Sequence, residues 1–436
     1  KFYRAEVIGG SISPNGFVDT SVGERLKPMH LASVTADFDR NGLSEIVGAP
    51  LEDLMNPLPS FPPQSGGVEI YERTAAGAYQ RRALINHPPP KGGGAFKPWA
   101  IDDTDGDGLL EILGSTKDQT FLIESLTRNG YPERVIWESP LISSGQIADL
   151  DGDGRKEIIG PNNNNREILI FESRGNDTYE QVISLKNETQ GSNVFGEQFA
   201  IGDFDDDGRM ELVAGDSEGE LFVYESVGND LLVETWQDKL NVVDAHQLAA
   251  GDLTSDGIPE FVVGGIVSEA DLPSLAPWWE YRVFAATGDN RYAALWAQEI
   301  VPFRLKGNGI AIGDVDGDSQ NELVILANPS IYVFKNLSAS PLPPPTFPPQ
   351  RGGDEGGGKE GGEFHLTPIW HRSAGETPRL FLADINRNDF SELYFNNRES
   401  LLTFEHSRAG NPNTVVDIQP WGLSAIPFSE RAVRLD

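Results

Sequence analysis

The stretch Asp203-Phe204-Asp205-Asp206-Asp207-Gly208-Arg209-Met210-Glu211, running straight into Leu212-Val213-Ala214, decides how the whole chain is read. Carboxylates alternate along a short loop, a glycine permits a sharp turn, and a glutamate closes the stretch at its ninth position. Oxygen donors at alternating positions suit a hard cation, and calcium takes about six to eight of them at roughly 2.3–2.6 Å. One such loop would carry little weight, because Asp and Gly are ordinary turn residues. Repetition changes that.

The arrangement recurs seven times, with side-chain oxygens expected at positions one, three, five and nine and a backbone carbonyl at position seven. Copy one offers Asp37, Asp39, Asn41 and Glu45 with the carbonyl of Leu43; copy two offers Asp103, Asp105, Asp107 and Glu111 with Leu109. Copy three has Asp149, Asp151, Asp153 and Glu157 with Arg155, and copy four Asp203, Asp205, Asp207 and Glu211 with Arg209. Copy five has Asp252, Thr254, Asp256 and Glu260 with Ile258; copy six has Asp314, Asp316, Asp318 and Glu322 with Gln320. Copy seven departs furthest, with Asp384, Asn386, Asn388 and Glu392 around Phe390. Up to seven calcium ions are expected, the pattern being fullest in the loops starting at 103, 149, 203 and 314.

The helical calcium loop is excluded by register. That motif needs a bidentate glutamate at position twelve, and position twelve here is Gly48, Gly114, Gly160, Ala214, Val263, Ile325 or Phe395. The acid at position nine instead precedes an aliphatic run such as Leu212-Val213 or Leu323-Val324-Ile325. Further runs alternate with period two, as in Val68-Glu69-Ile70-Tyr71, and a fourth often carries tryptophan, as in Val135-Ile136-Trp137 and Ala294-Leu295-Trp296. Alternation with β-branched and aromatic residues reads as strands. Four strands per unit in seven units predict an all-β, seven-bladed β-propeller of four-stranded antiparallel blades, one domain over 1–436.

Composition agrees. Gly 47 and Pro 30 in 436 residues favour many turns, and a net charge of −33 argues against nucleic acid or an anionic membrane as partner. No apolar run is long enough to span a bilayer. The absence of cysteine excludes disulfides and thiolate metal sites. A chain beginning at Lys1 without methionine is expected to be a processed form. Lys1–Ile8 or Thr414–Gln419 is expected to complete the last blade.

These residues resemble the FG-GAP/VCBS repeat propellers, the family that includes the integrin α-subunit head. Phe195-Gly196 stands where that family has its FG, and Gly48-Ala49-Pro50 where it has its GAP. The resemblance implies structural calcium on one face of the disc and ligands met mainly by loops on the other. It does not select among adhesion modules, lectins and polysaccharide-cleaving enzymes.

No catalytic constellation stands out. Gly215-Asp216-Ser217-Glu218-Gly219 matches a nucleophile elbow, but a strand-like run follows where a helix is required, so a hairpin turn is expected. The tryptophans of fourth strands are expected to pack between blades. Trp278 and Trp279, in an excursion over 265–280, are candidates for contacting a glycan or a protein. Phe61 and Phe347 belong to a duplicated Phe-Pro-Pro-Gln-x-Gly-Gly in the Pro/Gly-rich inserts 51–66 and 337–363, candidates for docking a partner or another copy of the chain. The expected function is a non-catalytic, calcium-binding recognition, adhesion or assembly module, extracellular or at the cell surface and not membrane-inserted. A lectin is the alternative, and a polysaccharide-cleaving enzyme the less favoured one.

Overall fold

The computed structural model describes residues 17–19, 29–50, 68–73, 79–85, 96–116, 119–162, 164–191, 193–267, 279–300, 309–327, 330–337, 364–373, 380–385, 387, 391–396 and 401–406. Phe61, Phe347 and Trp278, the insert over 51–66 and nearly all of 337–363 lie outside them, as do both segments considered for closing the ring.

Every regular element among the described residues is a strand, and the strands form seven four-stranded antiparallel sheets. Blade one is Met29–Ala36, Glu45–Pro50, Val68–Arg73 and Tyr79–Ile85. Blade two is Lys97–Asp102, Glu111–Ser115, Thr120–Ser125 and Pro132–Ser139; blade three is Gln146–Ala148, Glu157–Asn162, Glu167–Gly175 and Thr178–Lys186. Blade four is Ala200–Gly202, Glu211–Gly215, Glu220–Gly228 and Leu231–Lys239; blade five is Val242–Gly251, Glu260–Val267, Trp279–Gly288 and Arg291–Ile300. Blade six is Gly309–Gly313, Glu322–Ala327, Ser330–Asn336 and Leu366–Ser373. Blade seven takes Leu380–Ala383, Glu392–Asn396 and Leu401–His406 from the end of the described chain.

Its fourth strand comes from the other end. Phe17–Asp19 pairs antiparallel with Leu401–His406, so among the described residues the ring is closed by a strand from the N-terminal side, at residues 17–19.

The core explains why second strands are apolar throughout. It is divided into seven clusters, and each is shared by two successive blades. Adjacent residues of one strand serve opposite neighbours: Leu212 joins the cluster with blade three, Val213 the cluster with blade five. Alternation of side chains across a strand has this consequence when both faces of the sheet are covered. The last cluster sets Phe381, Ile385 and Tyr394 of blade seven against Ile46 of blade one, which closes the circle hydrophobically as well.

Fourth-strand tryptophans pack onto the following blade, as expected. Trp137 meets Phe171 edge-on at 5.1 Å, Trp236 meets Tyr292 at 5.6 Å, and Trp296 meets Phe334 at 5.3 Å. Offset and edge-to-face pairs of this kind contribute about 0.5–1.5 kcal/mol beyond their buried area.

Trp279 corrects an expectation. It opens the third strand of blade five, pairs across it with Ile266 and Ile300, and is buried in the core beside Tyr281 and Trp296. Its ring is therefore wall material and not a platform for a ligand. The Gly215–Gly219 stretch is the hairpin turn that was expected: Gly215 ends one strand, Glu220 begins the next, and the Asp216 carboxylate accepts from the backbone N–H groups of Glu218 and Glu220 at 2.9 Å.

Candidate metal centres at the first turn of each blade

All seven loops join the first and second strands of their blades, with the position-nine glutamate as the first residue of the second strand. That glutamate does the same thing everywhere. Its Oε2 accepts the N–H of position two, from Phe38, Thr104, Leu150, Phe204, Leu253, Val315 and Ile385 at 2.6–3.0 Å. The position-two side chain is buried beneath the loop in every blade.

The first aspartate closes the turn. In copy two its two oxygens accept from Gly106 and Gly108, in copy three from Gly152 and Gly154, and in copy four from Asp207 and Gly208, all at 2.8–3.1 Å. The position-five side chain accepts the N–H of position seven, as Asp107 does from Leu109 at 2.8 Å. Position six must be left-handed, with φ of 86–92° at Gly42, Gly108, Gly154, Gly208 and Gly257. Ser319 adopts the same region at 69° without being glycine, a conformation that costs an L-residue roughly 1–2 kcal/mol.

The loops thereby turn carboxylate oxygens inward. Asp103, Asp105, Asp107 and Glu111 each place one oxygen within 4.8 Å of the others, and so do Asp37, Asp39 and Glu45, and Asp149, Asp151 and Asp153. In copies one to four the second oxygen of the buried glutamate, Oε1 of Glu45, Glu111, Glu157 and Glu211, has no hydrogen-bond partner. An unsatisfied buried acceptor costs about 1–3 kcal/mol, more when charged. Burial first, and repulsion from the loop aspartates after it, push the Glu45 carboxyl up to about 7, Glu111 and Glu157 to about 8, and Glu211 to about 9. Desolvation and like charge together disfavour the anion. Three or four acids gathered at each of these loops, with no nitrogen or sulfur donor among them, form clusters that could hold a metal ion, and the donor set fits a hard cation.

Residues outside the loops complete this arrangement. Opposite the position-nine glutamate on the third strand stands another glutamate in blades one to four: Glu72, Glu124, Glu172 and Glu225. All four are buried, and an arginine answers each of them: Arg82, Arg134, Arg174 and Arg209, with Arg155 also reaching Glu172 at 3.1 Å. The signal was present in the sequence as Glu-Ser at 124–125, 172–173 and 225–226, each ending an apolar run.

A second contribution comes from the next blade. The backbone N–H of Asp177, at the outer hairpin of blade three, donates to Asp105 Oδ2 in the blade-two loop at 2.8 Å. Asp230 does so to Asp151 at 2.8 Å, and Asn290 to Asp205 at 2.7 Å. All three donors are left-handed, with φ of 53–57°. Each loop is thus tied to the following blade through the carboxylate that would also meet a cation. Tyr131 OH reaches Asp39 at 3.3 Å in the same sense.

Copies five and six differ from these. In copy five Thr254 replaces an aspartate, its hydroxyl donates to Glu260 Oε1 at 3.0 Å, and Ala285 follows the Phe261–Phe284 pair where other blades carry glutamate. The oxygen left open elsewhere is satisfied here, so the donor set is poorer. In copy six the ammonium of Lys335 lies among Asp316, Asp318 and Glu322. A full calcium set was expected at this loop; the structure places a lysine ammonium among three of its carboxylates. Of copy seven, Asp384 and Glu392 are described, while Asn386, Asn388 and Phe390 are not.

Comparison with known proteins locates this geometry. A family model described as an FG-GAP-like repeat matches residues 149–214 and 203–263, spans that contain the third, fourth and fifth loops. Sequence comparison with curated proteins gives no match. Among solved structures, an Agrocybe aegerita lectin described as recognising non-reducing terminal N-acetylglucosamine matches at 14% identity and a TM-score of 0.47, over 79% of this chain and 88% of that one. A Lactobacillus plantarum protein matches at 13% identity and a TM-score of 0.40, over 61% of this chain and 70% of that one.

Proposed function

This chain belongs to the FG-GAP repeat propellers, and on that premise we propose that it is a calcium-stapled, non-catalytic propeller, working outside the cytoplasm as a recognition, adhesion or assembly module. The observation that carries the calcium reading is the repeated orphan: one buried, partnerless glutamate oxygen in each of blades one to four, facing an all-oxygen set. A divalent ion would satisfy that oxygen, neutralise the acids around it, and hold the loop to the blade that follows. Asp37, Asp39, Asn41 and Glu45, and their counterparts in loops two to four, would be its ligands, with the carbonyls of Leu43, Leu109, Arg155 and Arg209.

The extracellular reading rests on the calcium reading. Modules of this kind that bind calcium weakly stay loaded only where the ion is abundant, with dissociation constants of about 10⁻⁴–10⁻³ M typical outside cells. The acidic charge favours a protein or glycan partner over nucleic acid. The duplicated Phe-Pro-Pro-Gln motif at 61–64 and 347–350 supports a docking role for the inserts, another copy of the chain being one occupant. Burial of Trp279 removes the one aromatic feature that favoured a lectin and fell within the described residues.

Thermal unfolding in calcium and in chelator tests the reading. Binding to the native state alone adds about 2.7 kcal/mol per site at a hundredfold excess over the dissociation constant, so loaded protein should melt well above stripped protein. An unchanged midpoint would sink the calcium role. Deleting 338–363 should leave that midpoint in place and weaken self-association in a sedimentation experiment; undiminished association would remove the docking role.

A further inference from the structure

Blade six carries its own cation. We propose that the ammonium of Lys335 occupies the place a divalent ion would take in this loop, so that blade six is stapled without metal while blades one to four are not. The inference rests on the calcium reading only for those other blades.

One ammonium lies among three carboxylates. Lys335 Nζ lies 2.5 Å from Asp316 Oδ2, 2.8 Å from Asp318 Oδ2 and 2.9 Å from Glu322 Oε1. An ammonium has three N–H donors and no acceptor; this one donates to Asp316 and is paired by charge with Asp318 and Glu322. Glu322 Oε1, like its counterparts at Glu45, Glu111, Glu157 and Glu211, accepts no well-formed hydrogen bond, but it has an ammonium 2.9 Å away. The fourth acid, Asp314, spends both oxygens on the N–H groups of Gly317 and Ser319 at 2.7 and 2.8 Å. The side chain of Lys335 is only 11% exposed, so the charge is held within the cluster and does not swing free in solvent.

Register supplies an independent reason. Lys335 is the residue after Phe334, which pairs with Leu323, and so it faces Glu322 across the sheet. In blades one to four this position is Glu72, Glu124, Glu172 or Glu225, each answered by an arginine. Blade six inverts the sign of the charge at this one position. The inversion removes a carboxylate from the cluster and adds a cation to it, so the four loop acids face one ammonium where other blades set a fifth acid. A divalent ion entering this loop would have to expel a buried ammonium and then sit beside it, against like-charge repulsion.

Calcium bound per chain, counted by equilibrium dialysis on the full-length protein, tests the assignment together with urea unfolding. The Asp316→Asn, Asp318→Asn double variant should bind as many ions as the unaltered chain, whereas the control Asp103→Asn, Asp105→Asn should bind one fewer. Lys335→Gln should unfold at lower urea than the unaltered chain in chelator, and in calcium should gain one ion. A count that drops by one in the Asp316/Asp318 variant overturns the proposal. So does a Lys335→Gln midpoint in chelator equal to that of the unaltered chain. If the unaltered chain binds no calcium at all, the role proposed for blades one to four fails alone, and the chelator midpoint of Lys335→Gln still decides the lysine.

Discussion

Glu211→Gln should change the sign of its effect when calcium is removed. Glu211 is fully buried; its Oε2 accepts the Phe204 N–H at 2.7 Å and its Oε1 has no partner. Glutamine keeps an oxygen for Phe204 but turns the inner oxygen into an NH₂ donor, which cannot ligate a cation. With calcium at a hundredfold excess over its dissociation constant, the lost site should lower stability by up to about 2.7 kcal/mol. In chelator the balance reverses. The carboxyl there is pushed up to about 9 by burial and by Asp203, Asp205 and Asp207, and an uncharged amide escapes that repulsion, so stability should be unchanged or higher. Glu211→Ala is the comparison: it abandons the Phe204 N–H as well, a loss of about 1–3 kcal/mol in either condition. Urea unfolding followed by tryptophan fluorescence reads all three, and equal slopes confirm that midpoints report stability. An equal loss for Glu211→Gln in calcium and in chelator would refute the reasoning, since the glutamate would then be a purely structural acceptor.

Three further outcomes are expected. Calcium-depleted protein should lose stability as pH rises from about 5 to 9: the glutamates at 45, 111, 157 and 211 have folded values of about 7 to 9 against a usual 4.5, so their folded forms hold protons that the unfolded chain has released, and this contribution declines above the unfolded value. Saturating calcium should flatten that trend, which urea midpoints across the range would reveal. Trp296→Ala should cost about 3–5 kcal/mol, equally with and without calcium, because its ring joins blade five to Phe334 of blade six within the apolar core; a calcium-dependent loss would contradict that. Removing residues 1–19 should strip the fourth strand from blade seven and lower the thermal midpoint of the whole ring, and an unchanged midpoint would mean that closure does not depend on Phe17–Asp19.

The sequence by itself determined the repeat, its count, the strand order and the loop register. Those are local facts: a turn needing glycine at position six, an acid at position nine and an apolar strand after it can be read from spacing, since each depends on residues within the same short segment. The packing role of fourth-strand tryptophans was legible for a similar reason, the recurring aromatic on an otherwise alternating strand. What only the tertiary structure decided lies across sheets and between blades. Trp279 read as an exposed pair with Trp278 until strand pairing placed it inside blade five. The closing strand at Phe17–Asp19 is too short to stand out, and its partner is nearly 400 residues away along the chain.

The loop at Asp314 is the sharpest instance. Its own residues are as good a calcium set as those at Asp103, and nothing within the loop says otherwise. The difference is a lysine on another strand, brought opposite Glu322 by the antiparallel register. Charge acts through space over a few ångströms while sequence orders residues along the chain, so a lysine that reaches a loop from another strand becomes visible only once the sheet has folded back upon it.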